Sequence, residues 1–224
     1  PLATISLAVD ALRNEKVMGN AEKSTYFSGI IKEENKRMNK HVETILQAGL
    51  MDRQDIRMSM EKKSVHNLVK EVLSNYELQL NGRNATVELL LNAKNDMVNA
   101  DEVHFSNLVS NLVDNAIKYS KDNIPLQLKI TTHSTAKYFV MQFEDNGIGM
   151  SKETSKRIFE KFYRATTGNV HNVKGFGLGM SYVKTIIDAH KGRIKVESTL
   201  GKGSTFVIEL PLSNPGDVKE DSSW

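Results

Sequence analysis

Residues 138–150 read YFVMQFEDNGIGM. Phe139, Met141 and Phe143 recur at every second position, which predicts a half-buried strand over 138–145. The strand ends in a carboxylate, Asp145, and Gly147 and Gly149 come after it with one residue between them. A carboxylate at a strand end accepts a proton donor from the edge of a flat ligand, and glycines let that ligand lie against bare backbone. The exocyclic amino group of adenine is such a donor. An Asp-Asn-Gly turn with no ligand is the plain alternative.

On the N-terminal side, PLQLKITT (125–132) alternates in the same way and makes a strand pair with 138–145. TVELLL (86–91) reads as a strand and DMVNA (96–100) as a short one. RIKVES (193–198) and STFVIELPL (204–212) form a closing hairpin around LGKG. Three helices lie between. Ser64 is the N-cap of one over VHNLVKEVLSNYELQL, ended by NGRNA (81–85), Asp101 caps another reaching about Tyr119, and a third covers roughly 178–190. Nine of the 14 glycines fall between residues 145 and 205, seven of them grouped in DNGIGM, GFGLG (175–179) and GKGST (201–205). Clustered glycine marks backbone that turns sharply or approaches a ligand, although each cluster alone also reads as a tight turn.

The first sixty residues keep a helical period instead. Leu2, Ile5, Val9 and Leu12 make one stripe, Gly19-Asn20 breaks it, and a second run begins near Thr25. That run carries Phe27, Ile31, Met38, Val42, Ile45 and Gly49, with Glu34 at one polar place and Lys32, Glu33, Lys36, Arg37 and Lys40 outward. Two helices joined by a short loop make an antiparallel hairpin, and a lone hairpin cannot bury a stripe on both helices. Pairing with a second copy into a four-helix bundle is the simplest solution. The expected organisation is a hairpin over 1–57, an α/β domain over 58–213, and an unpatterned tail, NPGDVKEDSSW (214–224).

Composition narrows the class. The 224 residues carry 30 Lys+Arg, 27 Asp+Glu, 39% hydrophobic residues and no cysteine. These values exclude a disordered chain, a disulfide scaffold, thiol nucleophiles and Cys-ligated metals. A net charge of +3 is too balanced to imply nucleic-acid binding. No stretch nears the roughly 20 apolar residues that span a bilayer, and PLATISLAVDAL lacks the basic segment of a signal peptide. The expectation is a soluble, intracellular domain.

The helix over 101–119 is expected to turn Val103, Leu108, Leu112 and Ile117 to the core. Asn107, Asn111 and Asn115 lie four apart and share another face. Asparagine is a mediocre helix former, so such a row is costly unless its amides are used. Two amide oxygens on adjacent turns suit Mg²⁺, which takes phosphate oxygens and water for the rest of its shell. Lys118 lies within a turn and could reach a phosphate, and a solvated polar face is the alternative. GFGLG feeds directly into the helix GMSYVKTIIDAH, so free backbone N–H groups and the positive helix end face an anion. It is neither the Walker loop nor the Rossmann fingerprint. ATTGNVHNVK (165–174) before it has the polar, unpatterned look of a mobile lid. IFEKFYR (158–164) puts Phe159 and Phe162 on one face, both expected in the core, with Lys161 and Arg164 available to a polyphosphate.

In order and spacing, NLVSNLVDNAIKYS (107–120), DNGIGM (145–150), IFEKFYR (158–164), GFGLGM (175–180) and GKGSTF (201–206) resemble the N, G1, F, G2 and G3 boxes of sensor histidine kinases. The resemblance covers residues 1–212. It implies an α+β chain: the helical hairpin is half of a dimeric four-helix bundle, and after it comes a two-layer Bergerat-type domain, a mixed sheet covered on one face by three helices. It implies ATP and Mg²⁺ as cofactors, with Asn115 and Asn111 as metal ligands, Lys118 on phosphate and Tyr119 beside the nucleotide. Asp145 would receive the adenine amino group, and Gly147 and Gly149 would shape that wall. Gly175, Gly177, Leu178 and Gly179 would form the lid hinge and phosphate contacts, and Thr205 would close the adenine pocket. It also implies a homodimer, a response-regulator receiver domain as partner, and a cytoplasmic place, with sensor and membrane anchor in preceding segments.

In such kinases the acceptor histidine precedes a Thr-Pro-Leu segment on the first hairpin helix. Pro1-Leu2-Ala3-Thr4-Ile5 matches that segment from its proline onward, so the acceptor is expected upstream of residue 1. None of His41, His66, His104, His133, His171 and His190 has the acidic neighbour and proline. Two readings compete. A hydrolytic ATPase resembling gyrase or MutL would need a glutamate where Asn111 stands, and an amide cannot act as a base. A degenerate module that binds ATP and dimerises without transferring phosphate would not need intact boxes.

Overall fold

The computed structural model describes residues 2–14, 17, 19–52, 58–164 and 176–213. They fall in two compact units that divide at Gln54 and Asp55. The expected lid over 165–174, Gly175 and the tail over 214–224 lie outside the described residues.

The first unit is a pair of helices, α1 (Leu2–Leu12) and α2 (Ala21–Asp52), which pack against each other. Asn20 starts α2 rather than merely interrupting the pattern. Its Oδ1 accepts from the first-turn donor Lys23 N at 3.0 Å, and the helix begins at Ala21, four residues before the expected start. On α1, Ala8 is buried and Ile5, Ala11 and Leu12 are half-buried, whereas Leu2 and Val9 of the expected stripe stand 70% and 40% exposed.

The second unit is the α/β domain. Its sheet runs β2 (Thr86–Leu91), β4 (Gln127–Ser134), β5 (Tyr138–Asp145), β7 (Gly203–Pro211), β6 (Arg193–Thr199). The β2–β4 pair is parallel and the others antiparallel, so the sheet is mixed. Register places Ile130 opposite Phe143, Phe143 opposite Phe206, and Met141 opposite Ile208. Cross-strand partners share a face, so these residues form one continuous buried surface. The helices α3 (Val65–Asn75), α5 (Glu102–Lys118) and α7 (Gly179–Ala189) supply the other half of the core with Leu68, Val72, Leu108, Leu112, Val183 and Ile187. A short sheet, β1 (Glu61–Ser64) with β3 (Met97–Ala100), leads into α3 and α5.

Both expected caps are present. Ser64 Oγ accepts from Asn67 N, and Asp101 Oδ1 from His104 N at 2.9 Å. The helix expected over 65–80 breaks at Tyr76 into α3 and the short α4 (Glu77–Asn81). Val103 is 68% exposed instead of buried, because α5 turns Phe105, Leu108, Val109, Leu112, Val113 and Ala116 to the core and leaves Ile117 half-buried. No helix among the described residues is long and apolar enough to cross a membrane.

Candidate functional site

With its apolar side turned to the core, α5 presents Asn111, Asn115 and Lys118 on another. Each asparagine amide is held from its nitrogen end. Asn111 Nδ2 donates to Asn107 O at 2.8 Å, and Asn115 Nδ2 donates to Met180 Sδ at 2.7 Å. Both oxygens are thereby turned away from these partners. α7 begins directly against this face: a methyl group on Gly179 would lie 2.7 Å from Asn111 Oδ1.

The end of α5 also seats the turn after β5. Tyr119 O accepts from Ile148 N at 2.9 Å, and a Cβ at Gly147 would meet the same oxygen at 2.5 Å. Glycine is required there by close approach. Asp145 Oδ1 accepts from Gly147 N at 2.9 Å. Burial pushes the Asp145 carboxyl above its ordinary value, while backbone hydrogen bonds from Gly147 and Ser204 and the charge of Lys121 pull it back. The carboxylate is half-buried with accepting capacity to spare, as recognition of an amino group demands.

The β6–β7 turn closes the back of this wall. Gly201 N donates to Ile148 O at 2.7 Å, Met150 N donates to Ser198 Oγ at 2.8 Å, and Gly149, with φ of +65°, lies against Thr199. Gly203 has φ of +133°, and a Cβ there would fall 1.9 Å from Asp145 O. The structure corrects one expected residue. Ser204 pairs with Asp145 and Thr205 with Glu144, so Ser204, buried and within 3.0 Å of Ser198 Oγ, shares the Asp145 side. Thr205 belongs to the opposite face of the sheet, away from the pocket it was expected to close.

On the remaining side, Gly177 docks on the F segment: a Cβ would meet Tyr163 O at 2.7 Å. Leu178 is buried and immediately precedes α7, whose first residue, Gly179, lies against Asn111. Lys118 Nζ stands 5.1 Å from the Tyr119 ring centroid. Burial pushes the Tyr119 hydroxyl up and the charge of Arg164 draws it down, so Arg164 approaches this wall. Lys161 is exposed on the turn after α6 (Lys152–Arg157). Phe159 is half-buried as expected in part, but Phe162 is 64% exposed at φ of +62°, which removes it from the core.

Asn111, Asn115, Lys118, Tyr119, Asp145, Gly147, Gly149, Gly177, Leu178 and Gly179 therefore surround one region from three separate stretches of chain. Sequence reasoning missed Met180, Ser198 and Ser204. Strand parity from Asp145 could have found Ser204, but nothing in the sequence pairs Met180 with Asn115. Among the described residues no group of three or more acidic or histidine side chains could hold a metal. A cation here would depend on amide and phosphate oxygens, and the two amides turned by their nitrogen partners fit Mg²⁺ in that role.

Residues 100–214, just over half the chain, match the model of histidine kinase-, DNA gyrase B- and HSP90-like ATPases. The sensor protein RprX of Bacteroides fragilis is 41% identical over 212 residues, 95% of this chain and 41% of RprX. Full-length ShkA in complex with AMPPNP shares the fold with a TM-score of 0.74 at 20% identity, covering 94% of this chain and 42% of that one. ThkA in complex with the response regulator TrrA matches with a TM-score of 0.65 at 23% identity, over 94% of this chain and 58% of that one. The chain thus spans less than half the length of RprX. The chain belongs to the histidine kinase-, DNA gyrase B- and HSP90-like ATPases.

Proposed function

We propose that this chain is the ATP-binding kinase core of a two-component sensor histidine kinase, which passes the γ-phosphoryl group of ATP to a histidine and then to a response-regulator aspartate. The observation that carries the reading is the convergence of Asp145, the Asn111 and Asn115 amide oxygens and the start of α7 on one region. Asp145 accepts the adenine amino group between Gly147 and Gly149, with Ser204 beside it. Lys118 and Arg164 face the polyphosphate, Tyr119 flanks the nucleotide, and Gly177, Leu178 and Gly179 bring peptide N–H groups to the phosphates. Lys161 and Gly175 complete this set in the proposal, whereas Thr205 drops out of it. Asn115 and Asn111 would hold Mg²⁺, which would supply positive charge to offset that of the transferring group.

Transfer moves phosphorus from the β–γ bridging oxygen to an imidazole nitrogen, leaving ADP. The protein positions the two and excludes water. Asn111 favours this over hydrolysis, because an amide cannot take a proton from water. None of the six histidines has the acidic neighbour and proline of an acceptor, and His66, His104 and His190 each also have a ring nitrogen in a hydrogen bond within the domain, so the acceptor is proposed to be a histidine outside this sequence. ThkA in complex with TrrA supports a receiver domain as the second partner. The hairpin over 1–57 is proposed as the dimerisation element.

Calorimetry tests the reading. The folded chain is expected to bind Mg-ATP and, incubated with ATP radiolabelled on the γ-phosphate, to incorporate no acid-labile label. Absence of binding heat would overturn the nucleotide site. Self-labelling would overturn the assignment of the acceptor.

A further inference from the structure

Met180 is the second residue of α7, 7% exposed, with its sulfur against the Asn115 side chain. An asparagine amide is useful to a cation only with its oxygen forward. Rotated half a turn, it presents two N–H groups and repels the metal. A thioether sulfur accepts weakly and donates nothing, so only the nitrogen end of Asn115 is favoured against it. The start of α7 is itself fixed. Gly179 abuts Asn111 Oδ1, Ser181 Oγ donates to Leu178 O at 2.9 Å, and Tyr182 N donates to the same oxygen at 2.9 Å.

We propose that Met180 is a positioning residue for the magnesium of the nucleotide complex: its sulfur accepts the Asn115 N–H and locks the amide with Oδ1 toward the cation. This inference rests on the nucleotide-binding reading above. It gives α7 a second task besides presenting its N–H groups to phosphate. Whatever moves the start of α7 also releases the Asn115 amide, so the phosphate contacts and the metal ligand are set together. Asn111 differs, because its partner is a carbonyl of its own helix and does not move with α7.

The test is Met180→Leu, which keeps nearly the same volume and removes the acceptor. Affinity for AMPPNP is measured by calorimetry with Mg²⁺ and with EDTA, alongside the side-chain amide signals of a protein with ¹⁵N-labelled asparagine. Loss of an outer partner costs a metal site about tenfold or more in affinity. The magnesium-dependent gain in AMPPNP affinity is therefore expected to fall about tenfold, with affinity in EDTA unchanged. The Asn115 amide pair is expected to shift while the Asn111 pair stays. If both affinities fall together, Met180 is only packing and the proposal is overturned. If neither affinity changes, or the Asn115 signals do not move, it is overturned equally. A wild-type chain that binds no AMPPNP under either condition would instead overturn the nucleotide site, a result distinct from those given by the variant.

Discussion

Asp145 carries opposed demands. Recognition needs an acceptor at the strand end, yet burial raises its pKa, so the ionised form is disfavoured in the fold. A carboxyl whose folded pKa is raised adds stability that is present in full below its unfolded pKa and lost as pH rises through the folded one. At neutral pH the empty site therefore carries a penalty. Asp145→Asn is isosteric, keeps an oxygen for Gly147 N, and removes the charge. We expect the variant to melt no lower than wild type at neutral pH, while nucleotide affinity drops about ten- to hundredfold, as for a lost charged acceptor. Thermal melts with calorimetry check both halves, and unchanged affinity would remove Asp145 from the site. The glycines of the β6–β7 turn divide as sharply. Gly201, at φ of +80° with nothing within 4 Å of an added Cβ, should tolerate alanine for about 1 kcal/mol. Gly203→Ala places a methyl on the Asp145 carbonyl at φ of +133° and should cost about 3 kcal/mol or more in urea denaturation.

Among the elements, one hydrogen-bonded chain ties α5 to α7. Asp101 takes Ser59 N on one oxygen and His104 N on the other, and His104 Nδ1 meets the Tyr182 hydroxyl at 2.9 Å. His190 closes it. Nδ1–H donates to Ile186 O at 2.7 Å, so Nε2 must be bare to accept Asp101 N at 3.2 Å. A proton on Nε2 would set two donors face to face at the N-cap of the helix bearing the asparagines. Burial accordingly depresses the pKa of His190, and of His66. Groups with depressed folded pKa stabilise the fold above the unfolded value of 6.5 and lose that contribution as pH falls through the folded one. Unfolding free energy should thus decline from about pH 7 to pH 5, by at most about 1.4 kcal/mol per pH unit per proton. His190→Gln should flatten that slope in urea titrations at several pH values, and an unaltered slope would exclude His190 as its source. The caps Ser64 and Asp101 are legible in the sequence because capping is local, a side chain answering an N–H three residues on. β1 is not, since EKKS has no apolar alternation and forms only through its pairing with Met97–Ala100. Periodicity misplaces Val103 for a related reason: the stripe of α5 is set by Phe105 and Val109, and spacing alone permits either rotation. Thr205 is misplaced by one residue, and in a strand one residue reverses the face.

For the molecule as a whole, the exposed side of α1 is where the proposed second copy would dock. Leu2 and Val9 are seven residues apart, a rotation of about 700°, which returns to within about 20° of the same line. They flank the line of Ile5 and Leu12, displaced by about 60°, as a second seam of a bundle would be. Both stand exposed in one protomer, at 70% and 40%. Leu7 is 71% exposed as well but lies about 200° from Val9, on the far side of the helix. Exposure alone cannot separate these leucines and valine, whereas geometry does. If the hairpin pairs with its copy through the Leu2–Val9 line, Val9→Lys places a charge in the seam and shifts sedimentation equilibrium toward monomer. Leu7→Lys adds the same charge to a solvated face and leaves the association constant as it was. Equal weakening by both would mean that net charge, not the seam, governs association. A wild-type chain that remains monomeric at every concentration would show that the Leu2–Val9 line is too short to hold two copies together.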